Sequence, residues 1–158
     1  MQFLTNQVRT IEHSRWYSAD KIMSITAYSV NDTINKFGDF GCGYYFTKSY
    51  EQAERWAKRT GRCMEQYSLE GPVNAKCRVF DDINKEWIDF VMACRLSVKH
   101  DYDFVEGPVA DDQIWNYVDD YLHGNISWKA FVELTRCIEK TNQIMLRGGD
   151  GKERIQDA

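Results

Sequence analysis

The sequence predicts an α+β domain, on three observations. Strand-like and helix-like stretches follow one another without the strict alternation that a doubly wound parallel sheet requires. Hydrophobic residues make up 43% of the chain and aromatic residues 14%, enough apolar surface to form a core, which argues against disorder. No repeat or low-complexity block divides the chain, and its prolines, Pro72 and Pro108, mark no linker. At 158 residues the chain reads as one domain over residues 1–146, with residues 147–158 as a Gly-rich, charged tail expected to fray.

In chain order, Phe3, Leu4, Val8 and Ile11 suit one or two short strands over residues 3–13. Ser18, as a cap ahead of Ile22 and Ile25, predicts a short helix over residues 18–25. Residues 26–37 are polar and read as loop plus a marginal strand. The chain is organised around residues 39–57, DFGCGYYFTKSYEQAERWA. This stretch is a glycine-punctuated turn, an aromatic strand over 43–47, and a helix over 49–60 capped by Ser49 and closed by Gly61. Gly41 and Gly43 permit positive φ or a close approach of the backbone to a ligand. Residues 63–69 and 75–80 read as further strands. Trp87, Ile88, Phe90, Val91 and Cys94 fall in helical register, predicting a core-facing helix over 84–97. A strand and turn follow at 104–109. An amphipathic helix over 111–122 carries Ile114, Trp115, Val118 and Leu122 on one side and ends at His123 and Gly124. A helix over 128–139 and a last strand over 143–146 complete the pattern.

The net charge of −4 provides no global attraction to nucleic acid or anionic membrane, although Lys58, Arg59 and Arg62 form a local basic cluster. Five dispersed cysteines, Cys42, Cys63, Cys77, Cys94 and Cys137, include no CxxC pair. That pattern favours a reducing compartment and predicts neither a disulfide framework nor a metal site. No stretch approaches 18 apolar residues and no signal peptide is expected, so a cytoplasmic protein without a membrane partner is predicted.

The segment DFGCGYYFT, followed by an alanine- and tryptophan-bearing helix, resembles the FGKGIYFA segment of poly(ADP-ribose) polymerases and diphtheria-toxin-like ADP-ribosyltransferases. It is still more similar to DFGxGFYLT-type segments of a bacterial family of unassigned name, regarded as a branch of that fold. WIDFVMACR, YDFVEGPVADD and YLHGNIS also resemble stretches of this bacterial family. The resemblance covers residues 10–146. It implies an ADP-ribosyltransferase-like split, curved sheet flanked by helices. It further implies NAD as co-substrate and transfer of ADP-ribose to a macromolecular acceptor, protein or nucleic acid, by an intracellular toxin-like effector. A cognate antitoxin is then a candidate partner.

By this resemblance the catalytic residues are Tyr45, Gln143 and His13, and the cofactor-binding residues His13, Ser14, Gly43 and Tyr45. Tyr45 is implied to stack on the nicotinamide ring. A period of two sends Tyr44 and Tyr45 to opposite faces, so one can line a cleft while the other enters the core. Glu12-His13-Ser14 takes the place of a His-Gly-Ser/Thr motif, His13 bonding a ribose hydroxyl and the Ser14 backbone holding the nicotinamide amide. A rival alignment puts Trp16-Tyr17-Ser18 there and leaves no histidine. Gln143 stands where the better-known enzymes carry Glu; it can accept a ribose O–H through its carbonyl but brings no charge. The nicotinamide leaves from a cationic ring, so orientation and stabilisation of a developing oxocarbenium ion are the main demands. Asp111 and Asp112 suit a helix start, with orientation of an acceptor as a second role. The alternative from another class is a non-catalytic module that holds NAD, an ADP-ribosyl group or a partner. An NAD hydrolase is disfavoured by the missing carboxylate.

Overall fold

A computed structural model describes residues 8–9, 17–18, 21–22, 24–30, 35–70 and 76–147. Within them the order is β1 (Val8–Arg9), β2 (Tyr17–Ser18), β3 (Lys21–Ile22), β4 (Ser24–Ser29), β5 (Asn35–Gly38), β6 (Gly41–Phe46) and α1 (Tyr50–Thr60). Then come β7 (Glu65–Glu70), β8 (Cys77–Val79), α2 (Lys85–Arg95), β9 (Phe104–Pro108), α3 (Asp112–Leu122), α4 (Trp128–Arg136) and β10 (Asn142–Arg147). The domain is α+β, as predicted. His13, Ser14 and the tail from residue 148 lie outside the described residues.

A five-stranded sheet has the order β5-β6-β10-β9-β8, and a three-stranded sheet the order β1-β7-β4. β2 and β3 form a separate ribbon. The larger sheet is antiparallel except for the β8/β9 pair. A bridge between Tyr28 and Thr47 ties the two sheets, with N–H to O distances of 2.8 and 2.9 Å.

Strand alternation sorts the core into two layers. Tyr44 and Phe46 of β6, Phe104 of β9, and Ile144 and Leu146 of β10 pack against Ala27, Tyr67 and Leu69 of the smaller sheet. On the opposite face, Val105 and Met145 pack under Trp87, Ile88 and Val91 of α2, Ile114 and Val118 of α3, and Phe131 of α4. Trp87 also donates its indole N–H to the Pro108 carbonyl at 3.1 Å. Glu106, fully buried on the inter-sheet face, is ion-paired with Lys48 at 2.6 Å.

Each helix begins where a side chain accepts an otherwise orphaned backbone N–H. Ser49 accepts from Gln52, Asn84 from Trp87, Asp111 from Ile114 and Ser127 from Ala130. Gly61 closes α1 at φ 68°. Asp111 is therefore a helix cap.

The helix expected over residues 18–25 is not seen among the described residues of that stretch: Ser18 ends β2, Lys21 and Ile22 form β3, and Ser24 and Ile25 begin β4. The Ser18 capping signal is local. β4, by contrast, hydrogen-bonds along its whole length to β7, whose partners Glu65 to Glu70 are some forty positions away. Ala27 and Ser29 are buried while Thr26 is exposed, the period of two that a paired strand produces. Pairing with a remote strand outweighed the local propensity.

Candidate functional site

The β5–β6 hairpin is built around one tyrosine. Gly41 takes φ 94° at the turn, a conformation open to glycine and strained for residues with a β-carbon. The Tyr45 hydroxyl folds back onto that turn, donating to the Gly41 carbonyl at 2.6 Å and accepting the Phe40 N–H at 2.9 Å. Its ring lies across Gly38, where an added β-carbon would stand 2.2 Å from the ring. Burial raises the pKa of this hydroxyl well above the ordinary tyrosine value, so it stays protonated. The hairpin tip is anchored from outside: Asp39 pairs with Arg95 at 3.0 Å, and His100 Nε2 donates to the Phe40 carbonyl at 2.7 Å while Nδ1 accepts the Tyr102 N–H. The Arg95 guanidinium also lies 3.9 Å from the centre of the Trp115 ring.

β10 pairs with β6 in a register that sets Met145 opposite Tyr45. Gln143, two residues before Met145, projects from the same face as Tyr45. Both line one cavity of about 350 Å³, within the range of small-molecule sites. Ser29 and Val30 after β4, Asn35 and Gly38 of β5, Asp39, and Val109 after β9 contribute to its walls. Trp56, Arg59 and Thr60 supply another wall from α1. Positions 56, 59 and 60 share one helix face, and Gln52 and Ala53, a turn earlier on that face, are buried.

Two features of the lining bear on chemistry. Gln143 is only 6% exposed, and its amide nitrogen has no hydrogen-bond partner among the described residues. A buried donor left unpaired costs roughly 1–3 kcal/mol. Asp39 is the carboxylate in the lining among the described residues, and Arg95 already neutralises it.

The structure thus brings together Tyr45 and Gln143 and sends Tyr44 into the core. Gly43 is not in the cavity lining. A β-carbon there would stand 2.3 Å from the Leu146 carbonyl oxygen, so close strand packing accounts for this glycine. His13 and Ser14 lie outside the described residues, as does any choice between them and the alignment through Tyr17. Trp56, Arg59 and Thr60 were not among the sequence candidates. Their i, i+3, i+4 spacing on the helix next to the aromatic strand was the available signal.

Residues 18–153 match a protein family described as of unknown function, DUF3990. No curated protein and no solved structure matches the chain. Among the described residues, no helix is long and apolar enough to cross a membrane.

Proposed function

The chain belongs to the DUF3990 family of proteins of unknown function, and from that premise we propose that it is an NAD-dependent mono-ADP-ribosyltransferase of the cytoplasm, a bacterial toxin-like effector that modifies a macromolecule. The observation that carries this reading is that Tyr45 of β6 and Gln143 of β10 lie on one face of the sheet, two positions out of register. Both line one cavity, and the amide nitrogen of Gln143 is buried and without a hydrogen-bond partner among the described residues. The resemblance of the glycine-flanked strand to the transferase segments selects NAD among the flat, polar ligands that such a cavity accepts.

The lining fits the nicotinamide end of that molecule. Tyr45 and Trp56 offer aromatic surface to a flat ring, and stacking of this kind is worth roughly 1 kcal/mol beyond area burial. Gln143 offers a donor and an acceptor to ribose hydroxyls. NAD supplies a bond to an already cationic ring, so the protein has no leaving group to protonate. What the chain contributes is orientation of the ribose and exclusion of water from it. The Tyr45 hydroxyl, engaged by Gly41 and Phe40, holds the ring in place.

A second reading, a binding module without turnover, is favoured by one observation. Gln143 brings no negative charge, and Asp39 in the cavity wall is committed to Arg95. Labelled NAD incubated with the protein and a cell lysate separates the two. Transfer of label to a protease- or nuclease-sensitive product supports the transferase, and binding without nicotinamide release supports the module. Gln143→Glu, which adds the charge, is expected to raise hydrolysis of NAD by water more than transfer. Absence of both binding and release would end the NAD reading.

A further inference from the structure

Two charged residues line the cavity, Asp39 and Arg59, and they differ in what faces them. Asp39 is matched by Arg95 at 3.0 Å. Arg59 has neither an ion pair nor a hydrogen bond among the described residues. A cation in the last turn of α1 complements the helix dipole, but the adjacent Lys58 supplies that too, and Lys58 has Glu54 as an ion-pair partner at 3.9 Å. Arg59 differs in direction: it lies one turn after Trp56 on the face that forms the cavity wall. With Asp39 offset, the cavity carries an excess positive charge at this wall.

Gln143, contributed by β10, lines the same cavity, and its amide nitrogen is buried without a hydrogen-bond partner among the described residues. A ligand that meets the Arg59 guanidinium must bring hydrogen-bond acceptors and negative charge to it. Arginine suits a phosphate best, since its planar fork donates two parallel N–H bonds to two phosphate oxygens.

We propose that Arg59 is a specificity-determining residue that reads a phosphate group of the ligand, so that the site selects nicotinamide nucleotides over the unphosphorylated nucleoside. The inference rests on the NAD reading above and adds to it the group that α1 recognises. Arg59 is exposed and its side chain makes no ion pair or hydrogen bond among the described residues, so its substitution is expected to leave folding intact.

The test is calorimetry of the full chain with NAD, nicotinamide mononucleotide and nicotinamide riboside. Wild type is expected to bind the two phosphorylated ligands more tightly than the riboside. Arg59→Gln should weaken both by roughly ten-fold or more and leave riboside binding unchanged. Arg59→Lys, which keeps the charge but not the fork, should fall between. Added salt should weaken NAD binding by wild type more than by Arg59→Gln. Undiminished NAD binding by Arg59→Gln overturns the role of Arg59 and leaves the NAD reading standing, and so does an equal loss for the riboside. If wild type binds none of the three, the NAD reading itself fails and this inference falls with it.

Discussion

Tyr45 joins a structural duty to a candidate binding duty, and the two separate by mutation. Tyr45→Phe keeps the ring but leaves the Phe40 N–H without its acceptor and the Gly41 carbonyl without its donor. We expect a loss of about 1–3 kcal/mol in urea unfolding, with NAD affinity little changed. Tyr45→Ala should lose both. Stability should also depend on alkaline pH. A hydroxyl whose pKa is raised on folding contributes stability that is complete below the unfolded value of 10.0 and lost as pH rises beyond it. Cys94, pushed by burial and by nearby Asp39 from 9.0 to about 11, adds a decline between those values. Titrating stability from pH 8 to 11 in wild type, Tyr45→Phe and Cys94→Ala checks this, each variant flattening its own part of the curve. Gln143 has the opposite character, since its unpaired amide is a cost to the free protein. Gln143→Met, similar in volume and without polar atoms, is expected to stabilise the fold by about 1 kcal/mol while abolishing nicotinamide release. A destabilised Gln143→Met would mean that the amide serves the fold rather than a ligand.

The helices and their caps were the most legible elements, because a cap is a local event. Ser49 with Gly61, and Asp111 at the start of the third helix, stand where the sequence placed them. The strand over residues 24–29 was illegible for the converse reason. Its stability comes from pairing with residues 65–70, and nothing in Ser24 to Ser29 announces that partner. The caps also decide a functional question. Asp111→Ala should cost about 1 kcal/mol in thermal or urea unfolding and leave nicotinamide release at the wild-type rate. A large fall in release with unchanged stability would return Asp111 to the site.

For the whole molecule, the fold class followed from the order of elements, whereas the sheet order did not. β10, last in the described chain, sits between β9, the strand before it, and β6, which lies about a hundred residues earlier. The juxtaposition of Tyr45 and Gln143 was accessible through resemblance alone, since composition and periodicity say nothing about residues about a hundred positions apart. The wall from α1 was written in the spacing of Trp56, Arg59 and Thr60, but a helix face does not state which partner it meets. A proline in β10 tests the central position. Met145→Pro removes a ladder N–H from a strand paired on both sides, and we expect loss of the cooperative unfolding transition by circular dichroism. Retention of a sharp transition near the wild-type midpoint would show that β10 is dispensable to the sheet.

The central place of β10 has a consequence for timing. While the ribosome is still adding residues before 142, β6 and β9 have no strand to join them, and Gln143 does not yet exist. The cavity therefore closes only once residues 142–147 have been made and have joined the sheet. A nascent chain carries two bare strand edges at that stage, of the kind that chaperones cover and that aggregate when left uncovered. A protein that consumes NAD would stay harmless to the cell making it until those six residues slot into place. That gap is also where a strand-shaped inhibitor would have to compete.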